Sequence, residues 1–255
     1  VKAAGISTDP SDLTTYTADP AYGAGSQIDG ASVVYTNTGT SVTVTGLTAG
    51  TLYYIKAYPF NGSNGSQNYR TTSAASTNGY TLMPEPTQAT AITFGTLGAT
   101  SYAVSFTAGS GLSRLVVAKT NSAVDWLPTD GTAYAGENNA FGSGTELSAG
   151  NFLVHRGTSP FTLSGLSAQT EYHIRIFEYQ GTNATLNYNT NAAAQNPSNR
   201  FTLSTEPTVH GTLTATALSD TQVKLDWSDA TGENGYVIVR KSGSAPTGVP
   251  ADGSA

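Results

Sequence analysis

One passage of the chain occurs twice. "VTVTGLTAGTLYYIKAYPFNG" (42–62) returns as "FTLSGLSAQTEYHIRIFEYQG" (161–181), shifted by 119, with two glycines, the central leucine and one tyrosine in register. Other passages follow at nearly the same spacing. "AYGAGSQI" (21–28) returns as "AFGSGTEL" (140–147), and "TLMPEPT" (81–87) as "TLSTEPT" (202–208). "YAVSF" (102–106) returns as "VKLDW" (223–227), and "LVVAK" (115–119) as "YVIVR" (236–240). A fixed period restricts the chain to repeated units, each with its own core or stacked on like neighbours.

The repeat divides the chain into three parts. Residues 83–204 hold one complete unit, 1–82 the later portion of a unit, and 205–255 the earlier portion. The tail "KSGSAPTGVPADGSA" (241–255) covers the same portion as the head "KAAGISTDPSDLTTYTA" (2–18). A subunit completed by its neighbour's strand should join without such an overlap, so a segment of a longer tandem array is the expected origin. The opening "VKAAGISTDP" has no n-region and h-region of a signal peptide, so an exported protein is expected here as a fragment or mature form.

Within the complete unit the hydrophobic pattern has period 2. "SYAVSF" places Tyr102, Val104 and Phe106 on one face, and "EYHIRIFEY" places Tyr172, Ile174 and Ile176 inward with His173, Arg175 and Phe177 outward. "RLVVAK" is a short apolar strand, "FTLSG" turns Phe161 and Leu163 inward, and Gly-rich turns separate all of these. No stretch has a convincing helical period. The expected fold is all-β, an antiparallel sandwich in each repeat.

Leu47 precedes Tyr53 by six residues, and Leu166 precedes Tyr172 by six, each across a Gly/Ala/Thr turn. This is the spacing of a tyrosine corner, whose hydroxyl bonds to backbone in the connecting loop. The G-L-x-x-x-T-x-Y-x-I pattern, with Trp227 and Tyr236 in "VKLDWSDATGENGYVIVRK", resembles fibronectin type III domains. The resemblance implies tandem immunoglobulin-like sandwiches and leaves function open, since a fold only hosts sites. In one respect the chain departs from that family. A type III domain needs about 100 residues, and the surplus here lies between strands C and E, in "NSAVDWLPTDGTAYAGENNAFGSGTELSAGNFLVHRG". The first unit has its counterpart in "GISTDPSDLTTYTADPAYGAGSQIDGASVVYTNTG". This longer variety resembles repeats of large secreted or surface-anchored bacterial proteins. Trp126, Tyr134 and Phe141 are expected to pack over the outward aromatic of strand F, Phe177 here and Tyr58 in the first unit, guarding the sheet.

Charge and cysteine narrow the chemistry. Only 11% of residues are charged, the net charge is −6, and the 11 basic residues are scattered, which disfavours nucleic acid. There is no cysteine, hence no disulfide or thiolate site. No apolar run is long enough to span a membrane as a helix. His155, His173 and His210 lack metal-ligand spacing and read as surface residues. The carboxylates Asp125 and Asp130, Glu137 and Glu146, or Asp9, Asp12 and Asp19 fall in loops, and no pair recurs in both units. "DPSDLTTYTADP" and "TDGTAYAGEN" do not match the EF-hand pattern, which leaves weak calcium binding as the minor reading. "GAGSQ" and "GSGTE" lack the strand, helix and lysine of a phosphate loop, and "NGS" and "NAT" read as turns. No catalytic residue, cofactor or metal ligand is therefore expected.

Tyr35, Tyr54, Tyr58, Trp126 and Phe177 remain as candidate ligand or interface aromatics, against cross-strand packing as the alternative. The expectation is a non-catalytic stalk, spacer or adhesive filament, extracellular or on a bacterial cell surface. Its partners would be neighbouring repeats of the same or an adjacent chain, glycans or another surface protein. Two alternatives stay open: an accessory or carbohydrate-binding region of a secreted hydrolase, and a fibre subunit completed by strand exchange.

Overall fold

The computed structural model of the chain describes residues 1–248 and 250. The final residues of the head-to-tail overlap, 249 and 251–255, lie outside the described residues. The chain is all-β: seventeen strands and one 3-10 turn, with no α-helix among the described residues.

The first part contributes β1 (Gln27–Ile28), β2 (Ala31–Ser32), β3 (Leu52–Ala57), β4 (Phe60–Asn61), β5 (Asn68–Tyr69) and β6 (Ala75–Tyr80). β3 pairs antiparallel with β6 along its whole length. Among the described residues its other edge receives only Lys2, which exchanges hydrogen bonds with Tyr54 at 3.1 and 2.8 Å.

The complete unit runs through β7 (Thr90–Gly95), β8 (Tyr102–Thr107), β9 (Ser113–Thr120), β10 (Glu146–Ser148), β11 (Asn151–His155), β12 (Phe161–Leu163), β13 (Glu171–Gln180), β14 (Asn187–Tyr188) and β15 (Ser198–Phe201). One sheet has the order β12-β8-β7. The other has the order β10-β11-β9-β13, with β14 and β15 both on the far edge of β13. Ile92, Tyr102, Val104, Phe106, Phe161 and Leu163 from the first sheet share a core with Val116, Ala118, Val154, Ile174 and Ile176 from the second. Two sheets enclosing one core are compatible with a β-sandwich.

The expected alternation holds on β8, whose three apolar residues are buried while those between them are half-buried. β9 is different. Leu115, Val116, Val117 and Ala118 are all fully buried, because both faces of the larger sheet are covered. Val116 and Ala118 face the inter-sheet core, while Leu115 and Val117 join a second cluster on the opposite face. An unbroken apolar run is the signature of a strand buried on both sides. Glu178 of β13 is also fully buried, its Oε1 accepting from Arg114 Nε at 2.8 Å and from Gly109 N at 3.1 Å. Losing either charge would strand the other in the interior.

The third part holds the hairpin β16 (Leu213–Ala217) and β17 (Val223–Trp227), which align with β7 and β8 at a shift of 121. Residues 236–240, the counterpart of β9, form no strand.

The Pro-containing connectors are pinned at both ends. Gly50 N donates to Leu82 O at 3.0 Å, and its counterpart Gln169 N donates to Leu203 O at 3.1 Å. Met83 then binds the complete unit, N–H to Thr185 O at 2.9 Å and carbonyl from Asn187 Nδ2 at 2.7 Å. Its sulfur lies over Gly50, at φ +63°, in space that a side chain there would need.

Candidate functional site

The surplus segment between β9 and β11 folds back over the outer face of the larger sheet. Trp126 meets Phe177 edge-on at 5.9 Å and Tyr134 at 4.9 Å, and Tyr134 meets Tyr188 at 5.9 Å. With Leu115, Val117, Val124, Leu153, Tyr179 and Leu186 they form the second core. Such edge-to-face pairs match the positive ring edge to the negative face and add about 0.5–1.5 kcal/mol beyond burial.

Polar contacts fix the cover in place, and they recur in the first unit. Asp130 Oδ1 accepts the Tyr188 N–H at 2.8 Å, and the Tyr188 hydroxyl donates to Thr132 O at 2.9 Å. Asp12 Oδ1 accepts the Tyr69 N–H at 2.8 Å, and the Tyr69 hydroxyl donates to Thr14 O at 3.0 Å. Thr129 N donates to Tyr134 Oη and Ser11 N to Tyr16 Oη, both at 3.1 Å. The residue after each aspartate has positive φ, Gly131 at +72° and Leu13 at +65°. The sequence reading that no carboxylate pair recurs thus missed one recurrent aspartate. The signal was P-[S/T]-D-x-T-x-Y at 10–16 and 128–134, obscured because its spacing is 118 where flanking segments show 119. These two carboxylates are engaged by backbone donors, which makes them staples of the cover.

Two expectations about the aromatics need correction. Phe141 does not lie over Phe177. It packs at 5.0 Å on both Tyr172 and Phe152, bordering the inter-sheet core. Its counterpart Tyr22 does the same on Tyr53 at 5.4 Å. The parallel bridge Ala140↔Ser164, repeated as Ala21↔Thr45, sets this position by tying the segment beside the corner. Phe177 faces away from the inter-sheet core as read, but it cannot serve as the candidate ligand contact: it is fully buried beneath the cover, with the Arg175 guanidinium 4.8 Å from its ring centre.

The tyrosine corners have the expected geometry. Tyr53 Oη accepts Thr48 N–H at 3.0 Å and Tyr172 Oη accepts Ser167 N–H at 2.9 Å. Leu166 is buried in the core and Leu47 is half-buried.

The first unit differs at one place. Tyr58, the counterpart of Phe177, donates its hydroxyl to Asp9 Oδ1 at 2.7 Å, and Lys56 Nζ lies 3.4 Å from the same oxygen. The Tyr58 hydrogen bond, followed by Lys56, holds the Asp9 carboxyl below its ordinary range, while burial and then Asp9 push the Tyr58 phenol up. Beside this group lies an open groove of about 950 Å³, lined by Val33, Val34, Tyr35, Ile55, Ala57 and Tyr58 among others. Tyr54 borders a smaller groove of about 360 Å³. Of the five candidate aromatics, the larger groove brings together Tyr35 and Tyr58. Trp126 and Phe177 belong to the cover of the complete unit.

The histidines do not converge. His155, read as a surface residue, is half-buried and stacked on Phe161 at 4.2 Å, with ring nitrogens 3.0 Å from Asn139 Oδ1 and 3.1 Å from Thr158 O. Burial lowers its pKa. His173 contacts Glu171 at 3.0 Å, and His210 is exposed. Asp125 accepts from Lys119 at 2.7 Å and from Asn151 at 2.8 Å, Glu137 lies 3.7 Å from Arg156, and Glu146 accepts from Gly150 N at 2.8 Å. Among the described residues no three His, Asp or Glu side chains are grouped to hold a metal ion. No helix among them is long and apolar enough to cross a membrane.

No protein-family model and no curated protein matches the chain.

Proposed function

We propose that the chain is a non-catalytic structural or adhesive stretch of tandem fibronectin type III-like repeats in a long extracellular bacterial surface protein, acting as stalk, spacer or filament. The observation that carries this reading is duplication of the supports: cover staple, tyrosine corner and pinned connector each occur twice with the same hydrogen bonds. Repetition of this kind serves length and spacing, whereas a catalytic site needs one constellation in one place. The all-β complete unit, whose β12-β8-β7 sheet and β13-containing sheet share one core, is compatible with the sandwich architecture that the type III resemblance implies. Low charge leaves a surface hydrated by Thr, Ser and Asn, suited to exposure without strong ionic attraction.

Antibody raised against the 255-residue chain should label intact cells of the source organism, and external protease should remove the label. Label confined to permeabilised cells would contradict the reading. The accessory carbohydrate-binding alternative retains Tyr58 but loses Phe177 to the second core. It requires glycan-array binding that disappears in Tyr58→Ala; binding unchanged by that substitution would exclude the groove as its site.

A further inference from the structure

The loop between β4 and β5 returns between β13 and β14, and it carries the same acceptor motif both times. "GSNGSQN" (62–68) matches "GTNATLN" (181–187) at a shift of 119. Each contains N-x-S/T without proline at the middle position, at 64–66 and 183–185. This is the pattern at which carbohydrate is attached to asparagine on surface loops. Read from sequence these triplets are turns, and turns they are. Ser66 Oγ donates to Ser63 O at 2.7 Å and accepts from Ser63 N at 3.2 Å. Thr185 Oγ1 donates to Thr182 O at 2.8 Å and accepts from Thr182 N at 3.0 Å. The turn therefore accounts for the hydroxyl of the motif.

It does not account for the carboxamide. Asn64 and Asn183 stand exposed at the loop tip, with φ +53° and +49°, and take no part in those bonds. The tip needs a residue that tolerates positive φ. Glycine meets that need two residues earlier, at Gly62 (+93°) and Gly181 (+92°), and would meet it here. Both repeats keep instead an exposed amide that the turn leaves unused. The chain supplies its own contrast in Asn61-Gly62-Ser63, the same motif in a different setting. Asn61 lies within β4, paired with Asn68, and its counterpart is Gln180.

We propose that Asn64 and Asn183 are carbohydrate attachment sites, one in each repeat. The asparagine Nδ2 attacks the anomeric carbon of a glycosyl diphosphate. The N–C1 bond forms as the C1–O bond to the diphosphate breaks, and one amide proton passes to the transferring enzyme. The donor is a sugar activated as its diphosphate, on a lipid carrier or on a nucleotide. Thr185 O, inside the motif, accepts the Met83 N–H, so a sugar chain on Asn183 stands beside the connector 82–87. Leu82, Pro84 and Glu85 of that connector are exposed, and bulky hydrated carbohydrate shields them from proteases. The inference rests on the surface reading above, since the chain must meet the glycosylating enzyme.

The test uses protein recovered from cells of the source organism. Trypsin isolates Asn64 in peptide 57–70 and Asn183 in peptide 176–200. Mass spectrometry with fragmentation that preserves side-chain groups should place carbohydrate on both asparagines and none on Asn61. Asn64→Gly and Asn183→Gly, which suit positive φ, should each clear the added mass from their own peptide alone, with unchanged circular dichroism. A single sugar identifies a nucleotide-linked donor, and a preassembled chain a lipid-linked one. Asn183→Gly should also speed cleavage within 82–87 by added protease; unchanged cleavage overturns the shielding. Unmodified peptides overturn the proposal, and so does carbohydrate confined to Asn61 or to serine and threonine hydroxyls. An unmodified chain that is nonetheless displayed on the cell surface leaves the proposed stalk standing.

Discussion

At the scale of single residues, two of the buried tyrosines of the complete unit, Tyr102 and Tyr172, make opposite predictions. Tyr172 satisfies the Ser167 N–H across the corner. Tyr172→Phe should therefore cost about 1 kcal/mol in denaturant unfolding, the net worth of one hydrogen bond plus a partly stranded donor. Tyr102 is 1% exposed, and its hydroxyl has no partner among the described residues. Tyr102→Phe should leave stability unchanged or raise it by up to ~1 kcal/mol, because an unmet hydroxyl is a desolvation cost. Equal losses for both would contradict the assignment of the corner bond. His155 adds a pH dependence. Burial holds its folded pKa below the ordinary 6.5, so the unfolded chain takes up the proton first. Stability from this residue is full above pH 6.5 and is lost as pH falls through the folded value. His155→Phe, which keeps a ring against Phe161, should flatten the slope of stability below pH 6.5. An unchanged slope would assign the dependence to other groups.

At the scale of elements, the decisive piece is the cover. Trp126 is its hub, and Trp126→Ala should destabilise the complete unit by about 3 kcal/mol, the cost of emptying an aromatic site. Asp130→Ala should cost about 1.5–3 kcal/mol by removing a charged acceptor from the Tyr188 N–H. Both should raise amide exchange selectively across 122–150. Exchange already fast there in the wild type would mean that the segment is a loose loop. Period-2 alternation was enough to place β8 and β13, and Leu-x5-Tyr spacing was enough to place both corners. The second core was only half legible. Alternation marks Phe177 as facing away from the inter-sheet core, and does so correctly, but it cannot distinguish solvent from another apolar layer. The all-apolar run Leu115–Ala118 was the clue that β9 is covered on both faces. Phe141 was misplaced because its position depends on the long-range bridge Ala140↔Ser164, which no local pattern reveals. Asp12 and Asp130 escaped notice because the period slips by one residue between the staple and the rest of the repeat.

At the scale of the whole molecule, a spacer requires units strung end to end. Met83 is the mechanical link: its backbone is bonded to the complete unit and its side chain lies on the turn of the preceding one. Asn187→Ala removes the bond to the Met83 carbonyl. It should loosen the connector without unfolding either unit, visible as a broader distribution of particle lengths in scattering. An identical distribution would mean that the connector is held by other contacts. Small-angle scattering on the 255-residue chain tests the central claim most directly. A compact globule of this length would have a radius of gyration of about 18 Å. Units strung in line should exceed that clearly, with a distance distribution skewed toward long separations. A value at the compact figure with a symmetric distribution would contradict the account of this chain as a spacer.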